Sequence, residues 1–344
     1  MPKRLTFSEL AKRGQSPFDD AALIQALAAP PVDEGTWFEI EPALFEQYNA
    51  YYSLDFEALK AKRAYGVFAV RQERIFAQTF TPQAQKPVAW ALVCHGYYDH
   101  MGLYGHLVNE LLQRNIAVVG FDQIGHGLST GAQATIEDFQ RYIQVIEVAY
   151  KIAQRLANGL PLHWFGQSMG GALTMEYWQQ QRFTKNNRPS GEMVLLAPLV
   201  RPYAWPGLRW VFELAKRTVQ SRPRDVSTNI DNPEFVSLLG RDPLQAQVLP
   251  VAWANAMVNW FKHFESSHPS VLKPVIIHGY GDRTVSYRHN LPVLEQIYPQ
   301  GQIHVVPTAR HHLVNETPQI QAAIWERLDV ACDWSSLQGE AHAV

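Results

Sequence analysis

Gly166-Gln167-Ser168-Met169-Gly170 follows directly on the apolar run Leu162-His163-Trp164-Phe165. A serine placed just after a buried strand, with glycine two positions away on each side, suits a sharp strand-to-helix turn. Side chains at the flanking glycines would collide with neighbouring backbone in such a turn. The turn carries the serine hydroxyl out beyond the sheet. Apolar residues at helical spacing follow, among them Leu173, Met175, Tyr177 and Trp178. A serine hydroxyl is a poor nucleophile at neutral pH, so it needs a base beside it and an acid to orient that base.

Two later segments meet this requirement. Pro274-Val275-Ile276-Ile277-His278 reads as a strand, and Gly279-Tyr280-Gly281-Asp282-Arg283 follows it. Ile303-His304-Val305-Val306 reads as the next strand, followed by Ala309-Arg310-His311-His312. Loops at the carboxyl ends of parallel strands converge on one crevice, so wide sequence separation does not keep these groups apart. Asp122, after the run Ile116 to Phe121, is the rival acid, but it precedes the serine, whereas the expected order is Ser, Asp, His. Asp282 also suits a plain turn-capping role. Ala197-Pro198-Leu199-Val200, after another strand, holds no carboxylate. The adjacent pair His311 and His312 is not resolved by periodicity; only one is expected to face the serine.

An attacked carbonyl develops a negative oxygen, and two backbone N–H groups aimed at it supply much of the rate. Met169, directly after the serine, is one candidate oxyanion donor. Tyr97 is the other, in the loop His95-Gly96-Tyr97-Tyr98 that ends the run Val88 to Cys94.

Together these stretches resemble the monoacylglycerol lipase and lysophospholipase branch of the serine α/β-hydrolases. The likeness rests on His95-Gly96 with His100, on Phe121-Asp122-Gln123-Ile124-Gly125-His126-Gly127-Leu128-Ser129, and on Gly166 to Gly171. Gly281-Asp282-Arg283-Thr284-Val285 and Ala309-Arg310-His311 complete it, so it spans roughly 85–200 and 266–330. The resemblance implies an α/β-hydrolase fold: a mostly parallel central sheet flanked by helices, with a helical cap insertion. It implies Ser168 as nucleophile, Asp282 as acid and His311 as base. Asp122, Gly125, His126 and Gly127 would belong to a loop supporting the site. His312 stands where many relatives carry glutamate. Tyr97 and Tyr98 stand where relatives often carry small residues, and their bulk would narrow an acyl pocket.

The chain has 344 residues, 47% of them hydrophobic, enough for one large α/β domain with insertions. Charged residues make up 18% and the formal net charge is −2, which does not favour nucleic acid as a partner. No cofactor is expected, and no histidine or cysteine pair has convincing zinc spacing. Cys94 ends a buried run, so a buried thiol is favoured over a disulfide with Cys332. Met1 to Ser8 lacks the apolar core of a secretory signal, and no stretch approaches ~20 apolar residues, the length a membrane-spanning helix needs. A cytoplasmic location is the expectation, with peripheral membrane contact through the cap left open.

Along the chain, residues 1–60 read as a helical extension, with a short helix from Asp19-Asp20 through Ala28 and another from Pro42. Its aromatic residues Phe45, Tyr48, Tyr51 and Tyr52 are expected to pack against the main body. Residues 64–81 read as a hairpin turning at Arg71-Gln72-Glu73. The segments 61–200 and 266–344 form the expected core, with strands near 88–94, 116–121, 162–165, 192–197, 274–278 and 303–306. Helical stripes at Leu103, Leu107, Leu111 and at Phe139, Ile143, Ile146, Tyr150 cover it, and Pro318 to Ala331 closes it.

Residues 201–265 interrupt the alternation and are expected to form the cap. Leu208, Val211, Phe212, Ala215 and Val219 form one apolar stripe; Trp253, Met257, Trp260 and Phe261 form another. They suit either a roof over an acyl chain or packing of the cap on the core. Arg217, Arg222 and Arg224 suit either a lipid phosphate or a solvated basic face. By resemblance, the expected substrate is a small-molecule ester or lipid, a monoacylglycerol or lysophospholipid before a short-chain carboxylic ester. Acyl transfer to an alcohol would use the same three residues, and a non-catalytic hydrolase-like binding protein is the reading from another class.

Overall fold

The computed structural model describes residues 20–28, 35–205, 207, 209–210, 219–224, 230–332 and 334. Its strands in chain order are Phe38–Ile40 (β1), Ala61–Val70 (β2), Glu73–Pro82 (β3), Ala89–Cys94 (β4), Ile116–Phe121 (β5), Leu162–Gln167 (β6), Met193–Leu196 (β7), Ser221–Pro223 (β8), Val248–Pro250 (β9), Val275–Gly279 (β10) and Gln302–Val306 (β11). Nine of them form one sheet in the order β1-β2-β3-β5-β4-β6-β7-β10-β11. From β5 to β11 every pairing is parallel, while β1, β2 and β3 add antiparallel neighbours at one edge.

β4, β5 and β6 are buried along their whole length. Strands covered on both faces read as unbroken apolar runs rather than alternating ones, which is why their limits are legible in the sequence. One apolar layer packs the helices Gln140–Ala157, Met169–Gln181 and Val251–Phe264 on one face. The other face carries Gly105–Gln113, Pro318–Cys332 and the aromatic residues of the amino-terminal segment. Phe45 stacks on Tyr65 of β2 with ring centroids 4.0 Å apart, and Tyr48 and Tyr52 are buried beside it.

The amino-terminal segment is not wholly helical. Phe38–Ile40 pairs with Tyr65 to Val67 and extends the sheet by one short strand. Three residues are too few to display a period of two, so nothing in the sequence marked it. The hairpin of β2 and β3 also runs longer than its pattern indicated, from Ala61 to Pro82.

β4 has β5 on one side and β6 on the other, so the strand order reverses there. The crevice beyond the carboxyl ends of β4 and β6 is the switch point at which open α/β sheets bind ligands. Between β7 and β10 the chain leaves the sheet. It forms the antiparallel β8–β9 ribbon and the helices Pro233–Arg241 and Val251–Phe264. The stems of this excursion are tied together by an ion pair between Arg201 and Glu265, and Glu265 also takes His289 Nε2 at 2.9 Å. Leu208, Val211, Phe212 and Ala215 of the first stripe lie outside the described residues, as do Arg217 and the segment Met1 to Ser8. No helix among the described residues is long and apolar enough to cross a membrane.

Candidate active site

The turn after β6 places Ser168 at φ 52° and ψ −113°, a left-handed backbone setting that few non-glycine residues adopt. Such strain persists only where the surroundings impose it. Here the Ser168 N–H donates to the Leu196 carbonyl at the end of β7, and the Ser168 carbonyl accepts from the N–H groups of Ala172 and Leu199. The flanking glycines allow two close approaches. A methyl group at Gly166 would lie 2.7 Å from the Gly171 α-carbon, and one at Gly170 would overlap the carbonyl oxygen of Cys94. The helix starting at Met169 can therefore press directly against the end of β4.

His311 reaches this turn from the loop after β11. Its Nε2 lies 2.8 Å from Ser168 Oγ, and its Nδ1 lies 2.8 Å from Asp282 Oδ2. A carboxylate can only accept, so Nδ1 carries the proton and Nε2 is left to accept from the serine hydroxyl. Gln167 Nε2 donates to the His311 carbonyl at 2.8 Å and holds the loop to the elbow. Asp282 follows β10, and its Oδ1 accepts the backbone N–H groups of Thr284 and Val285 at 2.7 and 2.9 Å. Burial acts to raise the Asp282 pKa, but the His311 imidazole beside it and these hydrogen bonds hold it below the usual carboxylate range. The exposures are 8% for Ser168, 5% for His311 and 1% for Asp282, so the serine is the most accessible of the three.

The neighbouring histidine points elsewhere. His312 Nε2 lies 3.0 Å from Asp99 Oδ2, and the Tyr104 hydroxyl donates to the same oxygen at 2.9 Å. Burial opposes ionisation of Asp99, but His312 and its hydrogen bond pull its pKa well down. Tyr104 in turn accepts the Gly96 N–H at 2.8 Å. His95 Nε2 accepts the Gln123 N–H, leaving Nδ1–H to face the Gly96 carbonyl at 2.7 Å. These contacts fix the loop that carries Tyr97. At Gly96 the loop runs so close that a methyl group would lie 3.5 Å from Ser168 Cβ. The Tyr97 side chain is committed to the insertion, with its ring stacked on Trp253 at 3.6 Å and its hydroxyl donating to the Ala134 carbonyl.

Asp122 is not brought to the serine. Its Oδ1 accepts the Met101 N–H and its Oδ2 the Leu128 N–H, so it braces the turn after β5 against the loop after β4. Gly127, at φ +47°, packs so tightly on this carboxylate that a methyl group would overlap it. The pair Asp99 and His312, with Tyr104, was not anticipated from sequence. Its partners lie 213 residues apart, and no local pattern links them.

Ser168 and His311 open into a cavity of about 300 Å³, the low end of the range for small-molecule sites. Leu199, Leu249, Trp253 and Met257 give it apolar walls, while Tyr97, Tyr98, Arg222 and Arg224 also line it. A larger groove of about 670 Å³, between the loop around Ile124 and the insertion, contains none of the three convergent side chains. Among the described residues no group of three His, Cys, Asp or Glu side chains is placed to hold a metal ion.

Comparison with known proteins places the chain among hydrolases. The family model described as Hydrolase_4, serine aminopeptidase, S33, matches residues 85–318. The chain is 25% identical to human monoglyceride lipase over 255 residues, covering 71% of this chain and 82% of that protein. It is 26% identical to the monoacylglycerol lipase of Mycolicibacterium smegmatis over 259 residues, 72% of this chain and 89% of the relative. Among solved structures, a soluble variant of the Saccharomyces cerevisiae monoglyceride lipase in complex with a substrate analog superposes with a TM-score of 0.66. That match is 17% identical and covers 80% of this chain and 94% of the other, a likeness of fold.

Proposed function

The chain belongs to the Hydrolase_4 family (serine aminopeptidase, S33), and from that footing we propose that it is a carboxylic ester hydrolase cleaving monoacylglycerol-type lipid esters through an acyl-enzyme on Ser168. The observation that carries this reading is the unbroken hydrogen-bonded line from Ser168 Oγ through His311 to Asp282, opening on an apolar cavity. Relatives matched over seven-tenths of the chain are named for monoglycerides rather than peptides, which favours ester substrates.

In this reading Ser168 Oγ attacks the ester carbonyl while His311 Nε2 takes its proton. Asp282, held ionised, stabilises the imidazolium and keeps Nδ1–H directed at itself. The N–H groups of Met169 and Tyr97 receive the carbonyl oxygen as it gains charge. His311 returns the proton to the departing alcohol, and a water activated by the same nitrogen then releases the acid. Residues 201–265 act as a cap that excludes water and supplies the acyl wall.

Peripheral membrane contact through the cap belongs to the same proposal. Its support is that Trp210 is 66% exposed, with Tyr203 and Val219 also exposed, all within the insertion. A cytoplasmic setting is proposed too, supported by Cys94 and Cys332 being buried free thiols.

The test is labelling by a fluorophosphonate probe together with a hydrolysis panel from acetyl esters to long-chain monoacylglycerols. Labelling of the wild type that is lost in Ser168→Ala, with turnover of the longer monoacylglycerols, is the expected result. An unlabelled wild type would sink the nucleophile assignment, and turnover of acetyl esters alone would remove the lipid preference. Added glycerol separates hydrolysis from acyl transfer by its effect on the products.

A further inference from the structure

Glu316 is wholly buried, yet among the described residues no cation pairs with its carboxylate. A buried charge without a partner of opposite sign is costly to keep. Its two oxygens are taken instead by backbone N–H groups from two separate parts of the chain. Oε1 accepts the N–H of Arg310, the residue directly before the base His311, at 2.8 Å. Oε2 accepts the N–H of Asp231, which belongs to the insertion, at 3.4 Å. An ionised carboxylate only accepts, so it serves both donors at once. A protonated carboxyl, or an amide, turns one of its two positions into a donor.

Other contacts follow the same line. Asn232 Nδ2 donates to the Asn315 carbonyl at 3.0 Å, while Asn232 Oδ1 accepts the N–H groups of Glu234 and Phe235 and caps the helix Pro233–Arg241. The Phe235 ring lies 4.8 Å from that of His312. The start of this helix and the loop that carries His311 therefore meet along one seam, and Glu316 is its buried member.

The charges around Glu316 do not favour its ionisation. Burial pushes its carboxyl above the ordinary range; the two N–H donors and His312 work against this, and the Asp231 charge works with it. Arg310 directs its guanidinium to the Asp231 carboxylate, 2.6 Å away. From the closing helix, Gln321 brings only a neutral amide, to the Glu316 backbone carbonyl. A carboxyl raised by folding contributes stability that is full below its unfolded value and is lost as pH rises through the folded one. The ionised form is thus not retained for stability. What it adds is the second acceptor.

We propose that Glu316 is a positioning residue for His311: ionised, it holds the turn at Arg310 and the insertion at Asp231 in one register, and its protonation releases that register and slows attack by Ser168. This rests on Ser168 being the nucleophile. The acid side of the reaction then depends on two protons being absent, one from His311 and one from Glu316. Asp282 is held below the ordinary carboxylate range and does not supply the second.

The test is the rate of fluorophosphonate labelling of the full chain from about pH 4 to about pH 8. The wild type is expected to lose rate with one proton at first and with two below the Glu316 transition, and to recover fully on return to neutral pH. Glu316→Gln keeps one acceptor and loses the other. Its neutral-pH rate should fall about tenfold, and its acid limb should follow one proton throughout. Asp231→Asn removes the charge that opposes ionisation and frees the Arg310 guanidinium, so its two-proton part should begin about half a pH unit lower. That shift decides the matter if Glu316→Gln does not fold. A two-proton limb surviving in Glu316→Gln, with an equal loss of rate at every pH, is the mark of a residue that merely packs and would overturn the proposal. So would a transition unmoved in Asp231→Asn, or a rate not recovered at neutral pH, which would assign the second proton to unfolding. A wild type labelled with a one-proton limb removes this inference alone; a wild type unlabelled at any pH removes the nucleophile reading and this inference with it.

Discussion

His100 Nε2 stands 2.9 Å from Asp242 Oδ2, and both side chains are wholly buried. His100 belongs to the loop after β4, while Asp242 ends the helix Pro233–Arg241 of the insertion. The second carboxylate oxygen of Asp242 accepts the Tyr52 hydroxyl at 2.7 Å. One carboxylate thus joins the amino-terminal segment, the core loop and the insertion. Because the same loop carries Tyr97, the insertion is anchored beside the oxyanion candidate rather than resting loosely on the sheet.

Removing that anchor should be costly and pH-dependent. Burial works against the His100 imidazolium, but the Asp242 carboxylate more than reverses this, so His100 titrates above its ordinary 6.5. A raised folded pKa contributes stability that is full below the unfolded value and is lost as pH rises through the folded one. Asp242→Ala should lose about 3 kcal/mol near pH 6, since it strands a buried partner. The gap to wild type should narrow as the pH is raised above 6.5 through the His100 transition. Urea unfolding between pH 6 and 9 measures this, and a gap independent of pH would remove His100 from the account.

The adjacent histidines should separate sharply. His311→Ala should lower kcat by about 10⁴, because base and orienting hydrogen bond vanish together. His312→Ala should cost on the order of tenfold, acting only through Asp99 and the loop it steadies. Rates of fluorophosphonate labelling rank the two without a substrate. Equal losses would mean that the hydrogen bond between His311 and Ser168 is not the one that matters.

Gly170→Ala should damage the elbow without removing a polar group. The new methyl would overlap the Cys94 carbonyl, so the helix Met169–Gln181 must move away from β4. Overpacking of this kind typically costs ~1–3 kcal/mol. Thermal unfolding should register that loss, and labelling of Ser168 should slow as well. A variant of wild-type stability and reactivity would show that the close approach is dispensable.

Trp253→Ala should alter what the cavity accepts. The indole is 5% exposed, lines the cavity and stacks on Tyr97. Its loss is expected to cost about 3–5 kcal/mol. It should also lengthen the apolar slot, moving the preferred monoacylglycerol toward longer acyl chains. A chain-length profile unchanged from wild type would place the acyl group elsewhere.

Legibility from the sequence follows the range of each interaction. β4, β5 and β6 are readable to within a few residues because double-sided burial writes them as continuous apolar runs. β1 was not, because three residues display no period. Arg222 and Arg224 looked alike in sequence. Arg224 stacks on Tyr98 and donates to Gln245, contacts reached through the fold. Trp260 was read as one of an apolar stripe, yet its indole N–H also donates to Glu176 Oε2, across 84 residues.

Taken alone, the chain determined its strand and helix runs, the tight turn at Ser168, and the order in which an acid and two histidines follow it. These are products of steric rules and apolar periodicity, which act over a few neighbouring residues. Tertiary structure alone decided that Asp242 ties three segments into one; it also turns His311 rather than His312 to Ser168 and sets Asp122 against a loop, which the residue pattern left open and the family resemblance implied. Those outcomes depend on directional contacts between groups more than a hundred residues apart, or on which way a loop turns, and packing of the whole sheet sets both.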